Sequence, residues 1–122
     1  MMNLFQRLQD WRARRRTLAE VNLIPQPDLA EMSMSRSDLR DLAGMSGARI
    51  ARMEIMAHLH GAAEALDTKP EIAKEVALTC ARCGAVTACT HELTRSEGPR
   101  VAETGFCPNY ATFLALSGDK PA

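Results

Sequence analysis

Apolar positions recur along this chain at helical rather than strand spacing. Leu4, Leu8, Trp11 and Leu18 fall on one face and predict a first helix over residues 3–20, its stripe interrupted by Arg15. Pro25 and Pro27 end that helix and bracket a turn. Pro27 suits the start of a short second helix through Glu31 and Met32. Ser35 and Asp38 have capping-box spacing and open a third helix with a Leu39, Leu42, Ala43 stripe. Gly44 is expected to close it in the left-handed conformation. Ser46 is placed to cap the next helix, to about His60, with Ile50, Met53 and Ala57 inward. Thr68 and Glu71 predict another capping box, with Pro70 in the first turn. Ile72, Val76 and Cys80 then follow at successive spacings of four. Residues 88–93 read as a short helix, and Pro108 suits the start of a last one anchored by Phe113, Leu114 and Leu116. Val, Ile and Thr form no alternating runs, so the expected class is all-α, a small multi-helix domain.

The chain has 122 residues, enough for one domain. Aromatics make up only 4%, so Leu, Ala, Met, Ile and Val must fill a thin core. A metal staple would supplement it, since structural zinc in small finger peptides is worth ~10–16 kcal/mol. Formal net charge is zero but unevenly spread. Residues 1–20 carry Arg7, Arg12, Arg14, Arg15 and Arg16 against Asp10 and Glu20, a net of +3 that the remainder balances. This divides the chain into a basic amphipathic helix, residues 1–24, and a helical domain, residues 25–122. Arg12, Arg14, Arg15 and Arg16 fit three roles: solvated charges on a helix that docks on a protein partner, a membrane-surface helix, or an arm on nucleic-acid phosphates. The first residues lack the apolar core of a secretory signal. No stretch approaches the ~18 apolar residues of a membrane span. A cytoplasmic location is the expectation, and there thiols stay reduced.

All four cysteines lie within residues 80–107. Cys80 and Cys83 are separated by two residues, Cys89 follows after five more, and Cys107 after seventeen, directly before Pro108. Clustered cytosolic cysteines point to a metal more often than to disulfides. Cys-x-x-Cys spacing lets one turn present two sulfurs to one ion, with backbone N–H groups donating to the thiolates. Gly84 is available for the positive φ such a turn often needs. Ser96, Gly98, Pro99 and Gly105 mark the stretch before Cys107 as loop. A single Cys-x-x-Cys, a distant fourth cysteine and a following proline suit a [4Fe–4S] cluster, with Zn²⁺ as the alternative. Either way the ligands are Cys80, Cys83, Cys89 and Cys107. His91 is a substitute ligand only if that set is incomplete. His58 and His60 point about 200° apart on a helix and are expected to face its dipole and solvent, not a shared ion.

Four stretches resemble known families. WRARRRTLAEV followed by LAEMSMSRSDLRDL is similar to short arginine-rich bacterial domains of unknown function, which implies an RNA contact. RSDLRDLAGMSGARIARME, residues 36–54, resembles a repressor-type helix-turn-helix. That likeness implies Leu39, Ile50 and Met53 as its core, Gly44 as its turn, and Arg49 and Arg52 on the reading helix. CARCGAVTAC is similar to the three-cysteine block of the WhiB-like [4Fe–4S] regulators, although their fourth cysteine lies upstream. Over residues 28–117, DLAEMSMSRSDLRDLAG, LTCARCGAVTACTHEL and FCPNYATFLAL look like an uncharacterised bacterial domain family with a closing (F/Y)CPN motif. This implies the same four cysteines as ligands and no known activity.

No nucleophile with a motif-spaced base, phosphate loop or carboxylate–histidine triad is present, and a Cys₄ site is coordinatively full. The expectation is therefore a non-enzymatic metal-binding protein with a redox- or iron-responsive regulatory or adaptor role. A nucleic-acid-binding regulator with structural zinc, and a small iron–sulfur electron carrier, are the alternatives.

Overall fold

A computed structural model describes residues 4–118, apart from the side chain of Arg7. Among the described residues there are eight α-helices, one short 3-10 turn and no strand, so the protein is all-α. The chain divides into two compact units, between Gly47 and Ala48.

The first unit holds α1 (Leu4–Asn22), α2 (Gln26–Glu31) and α3 (Arg36–Ala43). Its buried apolar residues are Val21, Leu29 and Met45. Arg36 joins α3 to the end of α1: its guanidinium donates to the carbonyl oxygens of Val21 and Ile24, both at 2.7 Å. Arg40 donates to the side chain of Asn22 at 2.9 Å. These bonds explain why the structural division falls after Gly47, whereas the composition of the sequence suggests residue 24. The capping box of α3 is present, with the Asp38 N–H donating to Ser35 Oγ and the Ser35 N–H to the Asp38 carboxylate. Gly44 is not left-handed, as expected from the sequence, but has φ −81°. Its N–H donates to the Arg40 carbonyl oxygen, and a Cβ there would lie only 3.2 Å from that same oxygen. The left-handed helix end occurs instead at Ser33, φ 54°, where the Met34 and Ser33 N–H groups bond back to Leu29 and Ala30.

The second unit follows with α4 (Gly47–Leu59), α5 (Ala63–Thr68), α6 (Pro70–Ala81), α7 (Val86–Leu93), a 3-10 turn (Val101–Glu103) and α8 (Tyr110–Gly118). Its core gathers Met56, Ala57, Ala62, Val76, Phe113 and Leu116. Gly61 ends α4 in the left-handed conformation, φ 71°. There the Ala62 N–H returns to the Ala57 carbonyl, and only glycine meets no steric cost. The predicted Ile72, Val76, Cys80 face does turn inward, but Thr68 opens nothing: it is the last residue of α5, its hydroxyl donating to the Ala65 carbonyl. Lys69 stands at the N-cap of α6 without a side-chain cap, and Pro70 supplies the first turn. Ile50 and Leu114, expected inside, are exposed, because Met53 and Met56 on α4 and Phe113 and Leu116 on α8 take the inward positions.

Candidate metal centre

Two helices and two turns of the second unit deliver the cysteines. Cys80 rides on the last turn of α6, Cys83 on the turn after it, Cys89 within α7, and Cys107 on the turn before α8. All four are half-buried free thiols and all four line one cavity. The centre of a water molecule can range over about 40 Å³ inside it. That suits a metal ion or a compact inorganic group and is far below the ~300–1,000 Å³ of pockets that take organic ligands. Met53, Met56, Phe106 and Phe113 complete an apolar wall.

Sulfur and nitrogen chemistry meet here in a regular way. The Ala85 N–H donates to Cys83 Sγ at 3.2 Å, and the Asn109 N–H donates to the Cys107 sulfur. Each donor lies two residues beyond its cysteine, and at Cys107 the N–H favours the thiolate. Gly84 does not take the positive φ expected of it: this turn bonds its sulfur without a left-handed residue at that place. Two arginines of α4 face the cysteines. Arg49 donates to the carbonyl oxygens of Cys80 and Cys83, at 2.6 and 3.1 Å. The charge of Arg49 acts on the Cys80 sulfur, and that of Arg52 on the Cys89 sulfur.

Burial pushes the thiols of Cys80, Cys89 and Cys107 up from the ordinary cysteine range, and the charges of neighbouring cysteines push them further. Arg49 opposes this at Cys80, Arg52 at Cys89, and the Asn109 N–H at Cys107. The thiols are thus near enough to feel one another. They are not drawn together: among the described residues, no three His, Cys, Asp or Glu side chains stand as a ready-made ion site. The donor set itself fits a soft metal, with four sulfurs, an apolar surround, N–H donors to sulfur and two cations nearby.

The fourth cysteine is held by two devices the sequence reading missed. Asn109 reaches across to donate to the Val76 carbonyl of α6 at 3.0 Å, fixing the Cys-Pro-Asn turn against the helix that carries Cys80. Glu92 on α7, although buried, accepts the Arg100 N–H at 2.9 Å and lies 3.7 and 3.8 Å from the guanidinium nitrogens of Arg95 and Arg100. A buried carboxylate stays ionised at low cost only when so paired. Asparagine directly after Cys-Pro was the one visible signal for the first device. Glu92, on a short exposed-looking helix, offered none.

His60, expected at the solvent, is buried between Tyr110 and Phe113. Thr104 donates its only hydroxyl proton to the Val101 carbonyl at 2.7 Å, so His60 Nε2–H must donate to Thr104 Oγ1 at 2.9 Å. Nδ1 is then a bare acceptor, buried and without a hydrogen-bond partner. Burial lowers the pKa of this histidine. His58 and His91 are exposed and do not line the cysteine cavity.

The remaining expected contact residues separate. Arg12, Arg15 and Arg16 are exposed on α1, and Arg14 pairs with Asp10. Arg49 and Arg52, which the helix-turn-helix likeness assigns to a reading helix, line the cysteine cavity. No helix of the described residues is long and apolar enough to cross a membrane. Comparison of the chain with protein-family models, curated proteins and solved structures gives no match.

Proposed function

We propose that this is a small, non-enzymatic metal-binding protein in which Cys80, Cys83, Cys89 and Cys107 hold one centre, a [4Fe–4S] cluster in the first instance and Zn²⁺ in the second. One observation carries the reading: the chain's four cysteines, from two helices and two turns, line a single cavity. A dication, or a dicationic cluster, on four thiolates leaves two negative charges, and the guanidinium groups of Arg49 and Arg52 offset them. Closing the sulfurs onto the centre takes rotation of half-buried side chains. Arg49 holds the backbone of the Cys80–Cys83 turn during that closure, and Asn109 holds the Cys107 turn.

When bound, an iron–sulfur cluster supplies a group that changes charge with redox state and is lost under iron limitation or oxidation. The protein's contribution is to tie α4, α6, α7 and the start of α8 to that group. Its presence or loss then becomes a change in how firmly these helices are held, which suits a redox- or iron-responsive regulator or adaptor. The Cys-Pro ending of the ligand set favours the cluster over zinc.

Anaerobic purification with a visible spectrum and iron, sulfide and zinc analysis tests this. A brown protein with about four irons and four sulfides per chain is expected, and Cys107→Ser is expected to lose the colour. A colourless protein with one zinc per chain would remove the cluster and keep the centre. Metal-free protein that resists denaturation as well as metal-supplemented protein would remove the centre altogether. Because three thiols have raised pKa values and must lose protons on binding, apparent metal affinity is expected to rise with pH.

A further inference from the structure

The side of α1 that faces into its unit takes only Leu18 of the predicted apolar stripe. Asp10, Arg14, Leu18 and Val21, at spacings of four, four and three, are its half-buried and buried positions. Asp10 is engaged there with Arg14. The rest of the stripe, Leu4, Leu8 and Trp11, is left exposed together with Phe5, to 81%, 42%, 46% and 66%. Among them stand the exposed Arg12, Arg15 and Arg16, with the Arg15 guanidinium 5.0 Å from the Trp11 ring centre. No carboxylate stands among these seven residues.

This mixture selects its partner. Nucleic acid would satisfy the guanidiniums and could stack on Trp11, but it offers nothing to Leu4 and Leu8. An acidic protein groove would take the leucines but would bury the guanidinium stacked at their centre. The headgroup layer of an anionic bilayer takes all of these groups at once. Leucine and phenylalanine enter the acyl boundary, tryptophan sits at headgroup level, and arginines reach up to the phosphates. Helix α1, 19 residues and so about 28 Å long, can lie flat in that layer.

We propose that the outward face of α1 docks on an anionic lipid bilayer, with Leu4, Phe5, Leu8 and Trp11 inserted and Arg12, Arg15 and Arg16 on the lipid phosphates. This surface belongs to the first unit and is independent of the metal reading.

Trp11 is the only tryptophan in the chain, so its emission reports on this face alone. The full-length protein is mixed with vesicles of phosphatidylcholine, and with vesicles of phosphatidylcholine plus phosphatidylglycerol. A blue shift of Trp11 emission and co-flotation are expected with the anionic vesicles only, both weakening as salt rises. Each arginine replaced by glutamine is expected to weaken binding about fivefold, and all three together about a hundredfold. Leu4→Ser with Leu8→Ser is expected to abolish the blue shift while circular dichroism stays unchanged, because both side chains are exposed. Absence of shift and flotation at low salt would overturn the proposal. So would wild-type vesicle binding by the double serine variant, or a single-stranded RNA oligonucleotide that shifts Trp11 emission and displaces the vesicles.

Discussion

The two units use the same residue for opposite ends. In the first, Arg36 turns onto backbone carbonyls and substitutes for a core, while Arg12, Arg15 and Arg16 stay outside among apolar side chains. In the second, Arg49 and Arg52 turn inward to sulfur and to the carbonyls of sulfur-bearing residues. The first unit therefore rests on a few directional bonds around Val21, Leu29 and Met45. The second rests on a continuous apolar cluster around Phe113, with Glu92, Thr104 and Asn109 buried in hydrogen bonds. An arginine's neighbours in space, not in sequence, decide which kind it is.

That contrast can be broken from either side. Phe113→Ala removes the largest fully buried side chain and is expected to cost the second unit about 3–5 kcal/mol. Denaturant unfolding followed by Tyr110, the only tyrosine, measures it. Arg36→Met removes two charge-assisted bonds and is expected to cost the first unit about 1.5–3 kcal/mol, read from Trp11. A cost for Arg36→Met near zero would show that apolar contact and the Arg40–Asn22 bond suffice to hold α1 to α3.

The smallest effect concerns acid. Burial holds the folded pKa of His60 below the ordinary histidine value of 6.5, so below that value the unfolded chain binds more protons than the folded one. Stability from this group is complete above 6.5 and is lost as pH falls towards the folded pKa, at no more than about 1.4 kcal/mol per pH unit. His60→Phe is expected to remove that slope between neutral and mildly acidic pH. An unchanged slope would assign the acid sensitivity to other groups.

Much of the helical frame was legible because it follows local rules. Ser35 and Asp38, the Pro70 start and the Ile72, Val76, Cys80 face are each decided within one or two turns. Failures came where geometry was chosen from a distance. Helix α5 has Ala62 at its N-cap and no side-chain cap, so nothing in the sequence announces it. Its presence makes Thr68 a last residue and leaves Glu71 without its expected partner. The left-handed helix ends fall at Ser33 and Gly61, while Gly44 serves a close approach to the Arg40 carbonyl. His60 is buried by Tyr110 and Phe113, about fifty residues away in sequence, and no local pattern predicts that. The four cysteines were legible as a group. Their two arginines were legible only as charges.

Glu92 has a consequence for how the last cysteine is delivered. Seventeen residues separate Cys89 from Cys107, enough for a free tether to sample a wide volume. By accepting the Arg100 N–H, Glu92 pins that connection near its middle. Six residues then remain before Cys107, three of them forming the 3-10 turn. Loop-closure entropy grows only slowly with length, at about 0.6 kcal/mol per doubling, so the saving in free energy is modest. The gain is in local concentration: the fourth thiol is carried on a short, partly rigid leash and stays within reach of the other three.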